Sequence, residues 1–208
     1  MTLLSSCTRA ARISAAVIAL LACGSVLLQI GLNLLGGEPL AEALWRMSRF
    51  FTILTNLIIA ATFAVVAGGR SVAPRWLLAM TAAIAGVGIV YHALLSHLLV
   101  QVGAEIIANH GVHTVVPILS VIWFAMFAPV DGLRWRDTWT VVIWPVLYCV
   151  YILARGSVTG MYPYPFIDAN TLSPVQMAIN IAGLTLFFLA LGLLLVGMLR
   201  LRGRKSAN

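Results

Sequence analysis

The chain alternates long apolar runs with short polar connections, and this pattern predicts its secondary structure. A helix needs about 20 predominantly apolar residues to cross roughly 30 Å of hydrocarbon. Because the connections are short, we predict an all-α fold, in which residues 1–208 form one polytopic membrane domain, a six-transmembrane-helix bundle. The six predicted helices lie at about 13–35, 50–68, 76–100, 112–130, 138–155 and 174–199.

Composition supports this class of protein. Hydrophobic residues make up 62% of the chain and charged residues 9%, whereas a soluble domain carries charge on about a quarter of its positions. The first run follows Arg9 and Arg12, as the apolar region of a secretory signal would. Its apolar stretch continues past Cys23 to Leu35, so we expect an uncleaved membrane span.

The distribution of lysine and arginine predicts the orientation, because cytoplasmic loops carry an excess of these residues. If both termini are cytoplasmic, only Arg46, Arg49 and Arg155 of the 13 basic residues lie on the opposite side. The net charge of +7 then reflects topology and attraction to anionic lipid, so we expect membrane lipids and no nucleic acid as partners. The basic residues predicted to be cytoplasmic are Arg9, Arg12, Arg70, Arg75, Arg134, Arg136, Arg200, Arg202, Arg204 and Lys205.

Prolines mark several helix boundaries. Ser173 and Gln176 flank Pro174 as a capping box would, so the last helix is predicted to start there. Pro145 in the fifth helix and Pro117 in the fourth each remove a backbone hydrogen bond to the residue four earlier. A fourth helix that began at Pro117 would be too short to span. We therefore expect it to begin near Asn109 or Gly111, with a loosened turn at His113.

In this orientation, most polar side chains with catalytic potential fall in the extracytoplasmic half. They come from the start of the second helix, the end of the third, the start of the fourth and the loop after the fifth. They are Thr52, Thr55, Asn56, His92, His97, His110, His113, Tyr162, Tyr164, Asp168 and Asn170.

Each of these residues also has a structural interpretation. The two threonines could bond carbonyls of their own helix, and Asn56 could join two helices. A buried His92 needs a polar partner, for which Tyr91 and Thr52 are candidates. The histidines at 97 and 110 fit the membrane interface, and the loop tyrosines fit an aromatic belt.

Two segments and one loop resemble a known family. FFTILTNL (50–57), NHGVHTVVP (109–117) and YPFID (164–168) stand on six predicted spans. This combination resembles the Pr-six-Pr family of bacterial integral membrane proteins. It also resembles, more distantly, the androgen-induced and androgen-dependent coagulation-inhibitor-regulating membrane proteins of animals. The animal proteins are intramembrane threonine hydrolases that cleave fatty-acid esters of hydroxy fatty acids. The resemblance implies a multi-pass protein of the bacterial inner (cytoplasmic) membrane with a lipid-ester substrate.

The resemblance also implies roles for individual residues. His113, at the head of the fourth helix, would be the base, and Thr52, which opens the second helix after an aromatic residue, the nucleophile. The distance from Thr52 to Asn56 departs from the family pattern by one residue, so Thr55 remains an alternative nucleophile. No cofactor or metal is expected. The residues expected to support the site or line the substrate are Asn56, His92, Tyr164 and Asp168.

This chemistry is physically reasonable. A threonine hydroxyl is a weak nucleophile and needs a base within about 3 Å, for which a neutral imidazole is suited near pH 7. The developing oxyanion would take hydrogen bonds from Asn56 or from backbone N–H groups at the start of the fourth helix. Asp168 would orient His113.

Two other classes of function remain open at the level of sequence. His92 and His113 could be axial ligands of a haem, or several histidines could hold a divalent metal. Against this, neither a paired-histidine pattern within each of two helices nor cysteine or carboxylate ligands are evident. A transporter or a non-catalytic lipid-binding protein is the third possibility. Transporters usually carry charges or broken helices at mid-membrane, whereas here the span centres are apolar.

Overall fold

The computed structural model describes residues 8–98 and 100–207, with the backbone alone at 205–207. Eight α-helices and no strands are present in this part of the chain. Two π turns, Tyr91–Leu95 and Gly111–Val115, extend α4 and join α5 to α6, and three 3-10 segments lie at Ser96–Leu98, Trp135–Val142 and Pro165–Ile167. The α-helices are α1 Arg9–Leu35, α2 Leu40–Met47, α3 Phe51–Ala67, α4 Pro74–Val90, α5 Ala104–His110, α6 Val116–Phe127, α7 Ile143–Thr159 and α8 Pro174–Ala207.

Five continuous helical segments within the described ranges are long and apolar enough to cross a membrane. The second predicted span, about 50–68, corresponds to α3, which forms a bent pair with α2 because the two helices meet at an angle of 96°. The all-α prediction is therefore confirmed, and the helix set is that of a multi-pass membrane protein. The five segments are Arg9–Leu35, Pro74–Leu98, Ala104–Phe127, Trp135–Thr159 and Pro174–Arg204.

Helix α4 lies at the centre of the bundle and packs against α3, α6, α7 and α8. Its buried residues include several alanines and glycines, and such small residues let neighbouring helices approach closely. Helix α1 packs along α3, and its Ala11, Ala15 and Ala22 are all buried. The Trp123 indole of α6 donates to the Ala11 carbonyl at 2.9 Å and packs edge-on against Phe63. Small residues and large aromatics thus interlock in the core.

Arg155 of α7 fixes the corner between α2 and α3. Its guanidinium is buried, lies 3.7 Å above the Trp45 ring and donates to the Trp45 carbonyl. It also donates to the Ser48 and Tyr151 hydroxyls, at 2.8 and 2.7 Å. A buried cation needs such partners, and here they hold the backbone directly ahead of α3.

Several predicted boundaries can now be compared with the structure. The capping box is confirmed, because Ser173 N–H donates to Gln176 Oε1 at 3.0 Å and Gln176 N–H donates to Ser173 Oγ at 3.3 Å. Pro145 lies in the first turn of α7, directly after the 3-10 segment Trp135–Val142, so its missing N–H falls where the helix changes type. The sequence pattern did not reveal the short helix α2.

The fourth predicted helix begins earlier than expected. Helix α5 starts at Ala104, after Gly103 at φ 58°, a left-handed conformation that glycine adopts without strain. The chain then continues through the π turn Gly111–Val115 into α6 without interruption. A start near Asn109 or Gly111 was therefore wrong. The loosened turn expected at His113 is confirmed as the π turn.

Candidate active site

Thr52 occupies the first turn of α3, immediately after the corner with α2. Phe50 is the N-cap, with extended backbone at φ −91° and ψ 125°, and the helix begins at Phe51. Thr52 is 8% exposed and lines a cavity. The helix start thus holds a hydroxyl group at a cavity wall rather than inside the core.

Thr52 and His113 form a hydrogen-bonded pair between α3 and the π turn. Thr52 Oγ1 lies 3.2 Å from His113 Nε2, and His113 Nδ1 lies 3.1 Å from the Asn109 carbonyl oxygen. A carbonyl oxygen only accepts, so Nδ1 carries the imidazole proton when the ring is neutral. Nε2 is then the acceptor and faces the threonine O–H. The geometry is that of a nucleophile paired with a general base.

The π turn is produced by Pro117 and accommodated by Gly88. Pro117 has no N–H to bond the His113 carbonyl, so the regular helical pattern cannot continue through this turn. A Cβ on Gly88 would lie 3.1 Å from both the His113 carbonyl oxygen and Pro117 Cβ. The absence of a side chain there lets α4 pack closely against the turn. π turns of this kind are frequent at functional sites.

Tyr91 supports the imidazole from the π turn that extends α4. Its ring stacks on His113 with centroids 3.9 Å apart and planes 18° from parallel. Asn109 Nδ2 donates to the Tyr91 hydroxyl at 2.6 Å, while the carbonyl of the same Asn109 holds His113. From the sequence, Tyr91 was expected only as a partner of His92, and Asn109 was given no role at the site. The sequence signal for Asn109 was its position four residues before His113, which places it one helical turn away.

The structure separates the two candidate nucleophiles. Thr55 is 0% exposed, and its hydroxyl accepts a hydrogen bond from Trp144 Nε1 at 2.9 Å. It therefore joins α3 to α7, and His113 is paired with Thr52 instead. This arrangement favours Thr52 over Thr55 as the nucleophile.

Asn56 joins α3 to the π turn. Its amide nitrogen donates to the Thr52 carbonyl at 2.9 Å and to the Val112 carbonyl at 3.2 Å. Both amide hydrogens are thus used, so Asn56 is not a free oxyanion donor. The backbone at His113 is also unsuitable, because the chain is continuously helical from α5 through α6. The structure offers neither of the donors expected from the sequence.

Two further predicted site residues lie outside this pair. His92 Nε2 is 3.0 Å from Thr114 Oγ1, so its polar partner is neither the Tyr91 hydroxyl nor Thr52. Asp168 is exposed to a moderate degree and accepts from the Asn170 backbone N–H at 2.9 Å. Its carboxylate caps its own loop, and the orienting role expected of it belongs to the Asn109 carbonyl.

Tyr164 approaches Thr52 from the loop between α7 and α8. Its hydroxyl accepts from the Phe51 N–H at 3.0 Å and also interacts with the Thr52 side chain and backbone. Its ring stacks on Phe166 with centroids 5.2 Å apart. Burial raises the pKa of Tyr164, so the phenol stays neutral and retains its proton.

A largely apolar cavity of about 90 Å³ is lined in part by Thr52 and Tyr164. Its walls come from α4, α7 and α8, including Val146 of α7 and Leu184 of α8. Helices α7 and α8 pack mainly against other elements rather than against each other, and Val146 is exposed. The cavity therefore reaches the lateral face of the bundle between these two helices.

Metal-ligating side chains do not gather in the described part of the chain, where no three of His, Cys, Asp and Glu are placed to hold one ion. The two histidines considered as axial haem ligands have separate partners, Thr114 for His92 and Thr52 for His113. Comparison with known proteins gives no match to any family model, curated protein or solved structure.

Proposed function

We propose that this protein is an intramembrane lipid-ester hydrolase with Thr52 as nucleophile and His113 as general base. The observation that carries the proposal is the 3.2 Å contact between Thr52 Oγ1 and His113 Nε2, with Nδ1 of the same ring bound to a carbonyl. General bases act from hydrogen-bonding distance of the proton that they remove. The more distant resemblance of the segments 50–57 and 109–117 to the animal androgen-induced and androgen-dependent membrane proteins, which are threonine hydrolases, points to the same chemistry.

The reaction proceeds through an acyl-threonine. Thr52 Oγ1 attacks the ester carbonyl carbon as its proton moves to His113 Nε2, which gives a tetrahedral oxyanion. The C–O bond to the alcohol then breaks, and the alcohol leaves with the proton from His113. Water attacks the acyl-threonine and gives a proton to His113. Cleavage of the threonine ester releases the fatty acid and returns the proton to Thr52.

The cavity supports a lipid substrate. An acyl chain that lies in it contacts mainly apolar side chains, which favours hydrocarbon over polar substrates. Its opening between α7 and α8 allows a lipid to enter sideways from the extracytoplasmic leaflet. The proposed location is the bacterial inner membrane, with both termini in the cytoplasm.

Labelling with a fluorescent fluorophosphonate tests the proposal. This probe forms a covalent bond with an activated serine or threonine hydroxyl. Detergent-purified wild-type protein and a Thr55→Val variant are expected to take the label, whereas Thr52→Val and His113→Ala variants are not. Thr55→Val is a matched control because it makes the same substitution one turn away, at a threonine bound to Trp144.

Each variant must elute as a monodisperse species in size-exclusion chromatography. Folded wild-type protein that takes no label, or a Thr52→Val variant that labels as strongly as wild type, would contradict the hydrolase. A labelled wild type is then assayed on fluorescent long-chain esters, where His113→Ala is expected to lower kcat by about 10²- to 10⁴-fold.

A further inference from the structure

Tyr164 meets the proposed nucleophile from the side of the cavity. Thr52 and Tyr164 both line the cavity, and the Tyr164 hydroxyl interacts with the Thr52 side chain. His113 contacts the same threonine from the π turn. The threonine oxygen therefore has its base on one helix and a phenol on the opposing loop.

Hydrogen bonding leaves the phenol proton available. The Tyr164 oxygen accepts a hydrogen bond from the Phe51 N–H at 3.0 Å. This bond uses a lone pair of the phenol oxygen and leaves the phenol proton unused. Its neighbour Tyr148 donates its own proton to the Arg49 carbonyl at 2.5 Å. The two side chains that the Tyr164 hydroxyl meets, Tyr148 and Thr52, both present neutral hydroxyl groups. An oxyanion is a stronger acceptor than either.

We infer that the Tyr164 hydroxyl is the oxyanion donor of this site. The inference rests on the proposed ester hydrolysis. A carbonyl carbon that reaches Thr52 Oγ1 from the cavity carries its oxygen past Tyr164, and the negative charge that forms there takes a hydrogen bond from the phenol. The amide of Asn56 does not fill this role, because it is bound to two carbonyls. The loop between α7 and α8 thereby supplies part of the reaction centre.

The test is a Tyr164→Phe variant, assayed on a fluorescent long-chain ester in detergent micelles. Loss of one oxyanion donor is expected to lower kcat by about 10²-fold, with KM changed less than about threefold. Tyr162→Phe is the matched control, since it removes a hydroxyl from the same loop two residues away. It is expected to retain kcat.

A second readout separates an oxyanion donor from a structural residue. A trifluoromethyl ketone forms a tetrahedral adduct with an activated hydroxyl, whereas the product fatty acid mimics the ground state. Tyr164→Phe is expected to weaken inhibition by the ketone by about the same factor as kcat, and to leave inhibition by the fatty acid unchanged. Equal weakening of both inhibitors, or an unchanged kcat, would overturn the inference.

The outcomes distinguish this inference from the proposed function. A Thr52→Val variant that retains activity refutes the hydrolase itself. Activity that is lost in Thr52→Val but retained in Tyr164→Phe refutes the role of Tyr164 alone.

If Tyr164→Phe does not fold, replacement of Tyr164 by 3-fluorotyrosine keeps the hydrogen bonds and changes only the acidity of the phenol. The rate is then expected to change with that acidity, and a constant rate would refute the inference.

Discussion

The ring of Tyr91 stacks on the ring of His113, with centroids 3.9 Å apart and planes 18° from parallel. Tyr91 begins the π turn Tyr91–Leu95, and His113 lies at the centre of the π turn Gly111–Val115. Asn109 bonds both partners, through its side chain to Tyr91 and its carbonyl to His113. The imidazole is therefore held on its face and at one nitrogen while the other nitrogen meets Thr52.

We expect the stack and the hydroxyl of Tyr91 to differ in importance. Tyr91→Phe keeps the ring and removes the acceptor of the Asn109 amide, so the esterase rate should fall less than about tenfold. Tyr91→Ala also removes the ring, and we expect a loss of more than tenfold in rate and of about 3–5 kcal/mol in the free energy of unfolding. Rates on a fluorescent ester and unfolding in detergent measure both effects. Equal rates for the two variants would show that the stack does not position His113.

Pro117 is expected to maintain the catalytic geometry at a cost in stability. In Pro117→Ala, residue 117 regains an N–H that can bond the His113 carbonyl, and the π turn can relax towards a regular helix. His113 would then rotate away from Thr52. We predict at least a tenfold loss of esterase rate, with thermal stability equal to or higher than that of wild type.

The control for this prediction is Pro174→Ala, which replaces the proline that opens α8. A proline at a helix start removes no internal hydrogen bond. We therefore expect little change in rate. A Pro117→Ala variant that is active but less stable would indicate that the proline serves only packing against Gly88.

Hydropathy alone predicted most of the fold, because a span of about 20 apolar residues leaves few alternatives. It did not reveal α2, which has eight residues and an amphipathic pattern too short to register as a span. It also placed the start of the fourth helix too late. The actual start depends on a π turn that lets α5 continue into α6, and local propensity does not encode such a turn.

The residues of the candidate site could be predicted only in part from the sequence. Thr52 and Thr55 are three residues apart and share one face of a helix, so periodicity could not separate them. The distinction depends on Trp144, 89 residues away from Thr55, whose indole binds that hydroxyl. The position of Tyr164 depends in the same way on a loop that returns to the start of α3. Long-range contacts of this kind have no signature in a single sequence.

Phe188 and Gly86 are expected to set the preferred acyl chain length. A Cβ on Gly86 would lie 2.4 Å from the Phe188 ring, so the ring packs directly against the glycine at the cavity wall. Phe188→Ala enlarges the cavity and should shift the ratio of kcat/KM values towards longer chains. Gly86→Ala displaces the ring into the cavity and should shift it towards shorter ones.

A series of esters from C4 to C16 measures these shifts. Leu186→Ala is the control on α8, because that side chain is 67% exposed and does not line the cavity. It is expected to keep the wild-type profile. Shifts in the same direction for Phe188→Ala and Gly86→Ala would show that the acyl chain lies elsewhere.

Arg155 is expected to stabilise the corner that precedes Thr52, and its geometry rather than its charge should matter. The planar guanidinium bonds the Trp45 carbonyl and two hydroxyls while it covers the Trp45 ring. An ammonium cannot match this arrangement, so Arg155→Lys should lower the free energy of unfolding by roughly 1.5–3 kcal/mol.

Ser48→Ala removes one of the three acceptors of Arg155 and should lower the free energy of unfolding by about 1 kcal/mol. Because both substitutions act on the same network, the double variant should be less destabilised than the sum of the two single variants. Additive losses, measured by unfolding in detergent, would show that Arg155 does not hold Ser48 in the folded protein.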